Sequence, residues 1–235
     1  MEIQIAVAKI NKYASSESGD TVEVIERPNG GLSVVMADGQ SSGRGAKSIS
    51  SLVVRKVISL LSEGVRDGAA ARAASDYLFT ERKGKVSATL NVFSVDLQTS
   101  TLVITRNNPA PVLLAYHEQI KLLDEESLPI GNFRDTRPWI CELPLEANMT
   151  AVMYTDGLVH AGSRIGQNID VTTGLQALLD EEACSPQAIA DSLLEQALKL
   201  DQDRPVDDIS IVVLRTTSLI GDTVRRMSVR LPLPG

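Results

Sequence analysis

Short segments in which apolar or β-branched residues alternate with polar ones recur along most of the chain, with turn residues between them. A period of two predicts β-strands. Ten strands are expected, at residues 3–10, 21–26, 31–37, 87–96, 101–106, 111–116, 119–123, 138–143, 150–155 and 209–215. Several neighbours are separated by only a few residues, which leaves no room for the crossover that parallel pairing requires. The sheets are therefore expected to be mainly antiparallel.

Three stretches have helical patterns instead. Apolar residues at helical spacing predict an amphipathic helix over 47–63 that Gly64 ends. An alanine-rich helix is expected at 69–81, and Asp67 and Gly68 before it are assigned to a turn. A serine N-cap followed by proline predicts a third helix at 185–200. Two blocks of strands with helices between or after them favour an α+β sandwich over a doubly wound sheet.

Composition narrows the class of protein. A chain of 235 residues with 43% apolar content is expected to form one domain. Its formal charge of -7 disfavours a nucleic-acid partner. No stretch is apolar enough to cross a membrane, the N-terminus lacks a signal-peptide pattern, and two cysteines are too few for a disulfide framework. These features predict a soluble, unexported, cytoplasmic protein.

The candidate chemistry lies where strongly apolar strands meet carboxylates. The strand at 31–37 runs directly into Asp38 and Gly39, and the strand at 150–155 runs into Asp156 and Gly157. Near the C-terminus, Asp207 and Asp208 stand immediately before a strand. Carboxylates at strand ends can meet at one rim, where their mutual repulsion calls for a cation. Oxygen ligands without a histidine or cysteine cluster indicate Mg²⁺ or Mn²⁺.

An Asp-Gly pair alone is a common turn signal and needs no function. After Asp38, however, a glycine-rich bend opens onto a helix, whereas a hairpin would continue into another strand. The two histidines, His117 and His160, have no recognisable ligand or nucleophile spacing and are interpreted as surface or structural residues. The sequence also lacks a P-loop, a dinucleotide loop and a Gly-x-Ser-x-Gly elbow.

Seven blocks, in order, resemble the metal-dependent Ser/Thr phosphatases of the protein phosphatase 2C type, specifically the bacterial branch typified by sporulation stage II protein E. These blocks are Ser18–Asp20, Val34–Gly43, Ala88–Leu97, Asn107–Leu113, Leu128–Gly131, Tyr154–Gly157 and Asp207–Val213. The resemblance implies a four-layer α/β/β/α sandwich with a metal site at one edge. It predicts a catalytic domain over 1–216 and a C-terminal extension over 217–235, with no attached sensor module.

The resemblance also implies roles for individual residues. Asp38 is expected to bridge two ions, with the Gly39 carbonyl on the second ion. Asp156 and Asp207 are expected on the first ion, and Asp20 near the second, directly or through water. Asp208 is the alternative to Asp207, which motif register favours. The bound ions would activate a water for attack on phosphorus.

The implied substrate is phosphoserine or phosphothreonine on a bacterial signalling protein, of the anti-sigma-factor antagonist or stressosome type. Gln40 replaces a histidine proposed as general acid in the eukaryotic family, so one alternative is a low-activity, phosphatase-like binding module. Another is a two-metal hydrolase of small phosphate esters. Arg44 and Lys47 are expected either to attract a phosphoprotein or only to be solvated. The extension at 217–235 is expected to add an edge strand, to pair subunits of a homo-oligomer, or to be partly disordered.

Overall fold

Ten strands lie within two residues of the predicted segments. The computed structural model describes residues 1–117, 119–181, 184–218 and 222–232. The strands are β1 Glu2–Ile10, β2 Asp20–Glu26, β3 Leu32–Gly39, β4 Ala88–Asp96, β5 Thr101–Asn107, β6 Val112–Tyr116, β7 Gln119–Leu123, β8 Trp139–Pro144, β9 Thr150–Tyr154 and β10 Ile209–Thr217. The sequence pattern therefore located the strands.

The strands form two five-stranded sheets. One sheet has the order β1-β10-β9-β6-β7, and the other has the order β2-β3-β4-β5-β8. All pairings between these strands are antiparallel. In the second sheet Asp20 lies directly opposite Asp38. In the first sheet Ile211, two residues into β10, lies opposite Tyr154 at the end of β9.

In the part of the chain that the structure describes, five helices cover the outer faces of the sheets. They are α1 Gly43–Ser62, α2 Asp67–Arg82, α3 Asp156–His160, α4 Val171–Leu179 and α5 Pro186–Leu200. The apolar pattern predicts α1, α2 and α5 but not α3 or α4, because both are short and carry a glycine inside. A single 3-10 turn at Ser163–Ile165 separates these two short helices.

Three apolar clusters divide the molecule into four layers. One cluster lies between α4, α5 and the first sheet, and includes Leu175, Leu193 and Ile211. Another joins the two sheets. The third packs α1 and α2 on the second sheet through residues such as Val53 and Leu78. The predicted α/β/β/α sandwich of two antiparallel sheets is therefore confirmed.

Two local predictions were wrong. Helix α1 begins at Gly43 rather than Lys47, because fully buried Ala46 packs in the first turn and outweighs the low helix propensity of glycine. Asp67 and Gly68 do not form a separate turn but begin α2. The Asp67 carboxylate accepts a hydrogen bond from Arg27 Nη1 at 2.9 Å, in a largely buried ion pair that ties α2 to the end of β2.

Apart from Thr217, the last residue of β10, the C-terminal extension contains no helix or strand in the parts that the structure describes, residues 217–218 and 222–232. Residues 219–221 and 233–235 lie outside the described residues, so the predicted extra edge strand is judged only over 222–232. Arg225 contacts the β2–β3 hairpin, donating to the Gly30 carbonyl at 2.8 Å. Among the described helices, none combines the length and the apolarity that crossing a bilayer requires.

Candidate metal centre

A recess of about 740 Å³ opens where the ends of β3 and β9 meet the start of β10. Three carboxylates, those of Asp38, Asp156 and Asp207, line it. The strand order explains the meeting, because β9 and β10 are neighbours in one sheet while β3 ends at the same edge of the other. Residues more than 160 positions apart in sequence thus share one rim.

Asp20 lies beneath this rim and is fully buried. Its Oδ2 accepts hydrogen bonds from Ser210 Oγ at 2.6 Å and from Thr155 Oγ1 at 3.0 Å. Its Oδ1 has no hydrogen-bond partner among the described residues. Burial raises the pKa of Asp20, although the hydrogen bond from Ser210 acts in the opposite direction. One buried carboxylate oxygen is therefore left without compensation.

The pKa of Asp38 is raised to about 9, first by burial and then by the negative charges of Asp20 and Asp156. The negative charge of Asp207 raises it further. Near neutral pH, without a cation, the pair formed by Asp38 and Asp20 therefore retains a proton. The carboxylates repel one another, and one buried oxygen has no hydrogen-bond partner among the described residues. A hard divalent ion would neutralise this charge and bind that oxygen, so these oxygen ligands fit Mg²⁺ or Mn²⁺.

Asp156 and Asp207 form a second group with a residue that the sequence pattern did not select. One oxygen of each carboxylate and one ring nitrogen of His160 all lie within 4.8 Å of one another. Burial raises the pKa of Asp207, and the charge of Asp156 raises it further. His160 is on the surface, as expected, but it also lines the recess. Its spacing of one helical turn from Asp156 was the available sequence signal.

Asp208 does not line the recess. Its Oδ1 accepts a hydrogen bond from the Lys12 main-chain N-H at 2.8 Å, and its Oδ2 accepts one from the Gly19 N-H at 2.7 Å. Both oxygens are thus used to hold the β1–β2 connection against β10. Of the two neighbouring aspartates, Asp207 is the one that faces the space in which an ion would sit.

Gly39 and Gly157 follow the two strand-end aspartates, and the structure needs them for space rather than for a turn. Neither is among the described glycines with a positive φ. A Cβ on Gly39 would lie 2.1 Å from the Ala46 carbonyl oxygen, and one on Gly157 would lie 2.0 Å from the Asp208 carbonyl oxygen. Close backbone approach is therefore the reason for glycine at both positions.

Gln40 closes the rim next to Gly39. The side-chain Oε1 of Gln40 accepts a hydrogen bond from the Ser87 main-chain N-H at 2.9 Å. The main-chain N-H of Gln40 donates to the Ser87 carbonyl at 2.9 Å. The side chain therefore fastens the end of β3 to the segment before β4. An amide in this position does not titrate, so Gln40 serves as part of the wall.

Two ammonium groups converge on the Asp20 carbonyl oxygen. Lys9 Nζ donates to it at 2.6 Å and Lys47 Nζ at 2.8 Å. Burial and the neighbouring charge of Lys47 lower the pKa of Lys9. Lys47, expected either to attract a phosphoprotein or only to be solvated, is instead fastened to β2. Lys9 was missed because its pattern is that of an ordinary strand residue.

Solved structures share this architecture. The PP2C phosphatase domain of SpoIIE from Bacillus subtilis matches with a TM-score of 0.78 and 22% identity, over 92% of this chain and 63% of that chain. The catalytic domain of the serine/threonine protein phosphatase PstP, in complex with two manganese ions, matches with a TM-score of 0.68 and 15% identity, over 92% of this chain and 99% of that chain. The chain therefore has the PP2C phosphatase fold.

The chain belongs to the stage II sporulation protein E (SpoIIE) family, whose model matches residues 28–217. A curated relative, stage II sporulation protein E of Priestia megaterium, is 21% identical over 213 residues, which are 91% of this chain and 36% of that protein. The chain thus spans about a third of the length of this relative. The family resemblance predicted from the sequence is confirmed.

Proposed function

We propose that the chain is a protein phosphatase that hydrolyses phosphoserine or phosphothreonine with the help of two divalent ions, Mg²⁺ or Mn²⁺. One observation carries the proposal: three carboxylates line a single recess, and the pKa of the central one, Asp38, is raised to about 9. Groups with strongly perturbed pKa values in a recess are typical of active sites. The family and the fold support the same activity.

In this proposal the Asp38 carboxylate would help to hold both ions, and the Gly39 carbonyl would contribute to holding the second. Asp156 and Asp207 would hold the first ion, and Asp20, whose Oδ1 has no hydrogen-bond partner among the described residues, would support the second. Asp208 keeps Asp207 in place through its main-chain contacts. When bound, such ions make hydroxide available near neutral pH and neutralise phosphoryl oxygens. The buried Thr155 and Ser210 hydroxyls orient Asp20, and Lys9 and Lys47 offset part of the negative charge behind it.

Departure of the serine oxygen needs a proton that Gln40 cannot supply, because its side chain is a non-titrating amide held by Ser87. Solvent in the open recess is one source of this proton. Exposed Arg44 lies just beyond the rim and supports recognition of a negatively charged partner. Its 4.0 Å approach to Glu17 is an exposed contact that costs little to break.

The proposed substrate is a folded bacterial signalling protein of the anti-sigma-factor antagonist type, and the proposed location is the cytoplasm. The family supports the substrate class. The proposed catalytic domain is 1–216, which includes all of β10 except its last residue, Thr217, and so retains the strand that follows Asp207.

The activity is tested by Mn²⁺-dependent hydrolysis of p-nitrophenyl phosphate. The wild type should show activity that saturates with Mn²⁺, and Asp38→Asn should lose about 100-fold or more. Asp191→Asn, an exposed position on α5, is the matched control and should behave as the wild type. A wild type no faster than Asp38→Asn across the manganese titration would sink the phosphatase proposal and favour a binding module.

Substrate class is tested separately, with a phosphorylated antagonist domain set against small phosphate esters. The proposal expects kcat/KM to be at least about 100-fold higher for the phosphoprotein, since protein contacts add binding energy that a small ester lacks. A preference for a small ester would overturn the substrate assignment while leaving the hydrolytic activity standing.

A further inference from the structure

We propose that His160 is a nitrogen ligand of the ion held by Asp156 and Asp207, and that it makes this site select a transition-metal ion over Mg²⁺. The inference deepens the proposed function, because it concerns the same recess. It assigns a chemical role to a residue that the carboxylate pattern alone leaves out.

His160 lies close to both carboxylates. Asp156 and His160 are the first and last residues of α3, four positions apart, so they lie on the same face of the helix. The Asp207 carboxylate faces them from the segment before β10. Because the three ligand atoms lie within 4.8 Å of one another, a single ion can reach all three after a small side-chain adjustment. Two ligands on opposite sides of an octahedral Mg²⁺-sized ion are about 4.2 Å apart.

The ligand atoms of His160 and Asp207 are available to an ion. The His160 ring is exposed and accepts or donates no hydrogen bond among the described residues. Asp207 Oδ1 accepts the Asp208 N-H at 2.9 Å, which holds the carboxylate while leaving its other oxygen available. The other histidine differs, because the ring of His117 lies 3.4 Å from Glu146 and stacks on Tyr116. Of the two histidines, His160 is the one placed to bind an ion in the recess.

A nitrogen ligand changes which metal ion the site prefers. Mg²⁺ strongly prefers oxygen ligands and retains bound water, whereas imidazole is a good ligand for first-row transition ions. Two carboxylates and one imidazole therefore form a mixed set that favours a transition ion. The Asp38 and Gly39 side of the recess offers oxygen only, so the two ion positions are expected to differ in preference.

The test uses chain in which histidine is labelled with ¹⁵N, observed by long-range ¹H–¹⁵N NMR. The chain contains two histidines, so each ring can be assigned with one His117→Gln variant. Adding Zn²⁺, a diamagnetic transition ion, should shift one ring nitrogen of His160 and leave His117 unchanged. Adding Mg²⁺ should shift neither. The Asp156→Asn variant should lose the response to Zn²⁺.

Selectivity is measured by calorimetric titration with Mn²⁺ and with Mg²⁺. His160→Ala should weaken Mn²⁺ binding about tenfold and Mg²⁺ binding less than about twofold. His160→Glu, which supplies an oxygen in place of the nitrogen, should raise Mg²⁺ affinity above that of the wild type and so narrow the preference for Mn²⁺. His117→Ala should change neither affinity.

Three results would overturn the inference: a His160 ring unaffected at saturating Zn²⁺, the same shift in Asp156→Asn, or equal loss of Mn²⁺ and Mg²⁺ affinity in His160→Ala. None of these measurements requires hydrolysis. A chain that binds Zn²⁺ through His160 but cleaves no phosphate ester contradicts the proposed function alone. A chain that cleaves esters without a His160 response contradicts this inference alone.

Discussion

At the scale of single residues, neighbouring carboxylates of the chain have opposite tasks. Asp207 and Asp208 are adjacent, yet one lines the recess and the other accepts two main-chain N-H groups. The motif favoured Asp207 by register, and the contacts of Asp208 give a physical reason for the same choice. A carboxylate whose oxygens are both engaged in holding the backbone is not free to bind an ion.

The two aspartates can be separated by substitution. Asp207→Asn is expected to abolish metal-dependent activity while changing the unfolding free energy by less than about 0.5 kcal/mol. The reason is that burial already raises the pKa of the Asp207 carboxyl, so its charge does not stabilise the fold. Asp208→Asn should destabilise the fold by about 2 kcal/mol, because one of the two N-H groups would then face an amide NH₂. Chemical denaturation and Mn²⁺ titration measure both effects. Equal losses of stability would contradict the division of roles.

The raised pKa of Asp38 predicts how metal affinity depends on pH. Below pH 9 the metal-free protein keeps a proton that an ion must displace, so Mn²⁺ affinity should rise up to about tenfold per pH unit between pH 6 and 8. Calorimetry in two buffers of different ionisation enthalpy should show release of about one proton. The Asp38→Asn variant is the control, and a pH-independent affinity in the wild type would contradict the prediction.

The raised pKa of Asp38 also makes the stability of the fold depend on pH. Because the folded-state pKa of Asp38 lies above the unfolded one, the folded chain binds the proton more tightly. This contribution to stability is complete at pH values below about 4 and is lost as pH rises toward 9. Bound cations reverse the loss, since they stabilise the ionised carboxylates.

At the scale of elements, the centre depends on backbone segments that approach one another very closely. The first turn of α1 lies on Gly39, and the first turn of α3 lies on the Asp208 carbonyl that precedes β10. Ser50 Oγ adds a hydrogen bond from α1 to the Gly19 carbonyl at 2.5 Å. The helices therefore determine how far apart the strand-end aspartates stand.

Two glycine substitutions test this dependence on close approach. Gly157→Ala should destabilise the fold by about 3 kcal/mol and reduce activity, because the new methyl group would meet backbone at 2.0 Å. Gly45→Ala, inside α1 with open space around it, should stabilise the fold by about 0.5–1 kcal/mol. Urea denaturation gives both values. A Gly157→Ala protein as stable as the wild type would refute the close-approach explanation.

At the scale of the whole molecule, four layers and two antiparallel sheets bring the ends of distant strands to one edge. The C-terminal extension takes little part in this arrangement. Its described residues make a few exposed contacts, such as Arg225 with Glu26 at 3.5 Å, and apolar side chains such as Met227 and Val229 stay exposed. Exposed ion pairs of this kind contribute at most about 1 kcal/mol.

Truncation tests whether the extension is dispensable. A chain ending at Ser218 should keep its activity and its Tm within about 3 °C, because it retains all of β10. A chain ending at Arg215 is the matched comparison. It loses the Thr216 hydroxyl that accepts the Met149 N-H at 2.9 Å, and its Tm should fall further. A loss of more than about 10 °C on ending at Ser218 would show that the extension belongs to the folded domain.

The sequence by itself determined the strands, three of the five helices, the antiparallel pairing and the aspartates at strand ends. These features depend on periodicity and turn chemistry within a few residues, so they can be predicted locally. The family blocks extended this to the four-layer fold. The start of α1 and the role of Asp67 could not be predicted in this way, because contacts with distant strands outweigh local propensity there.

Only the tertiary structure decided which side chains meet. His160 joins Asp156 and Asp207, Lys9 lies behind Asp20, and Asp208 does not line the recess. Each outcome depends on the packing of segments far apart in sequence, to which no local pattern is sensitive. The unsatisfied Asp20 Oδ1 and the raised pKa of Asp38 arise for the same reason, since the fold alone brings these charges together and removes water from them.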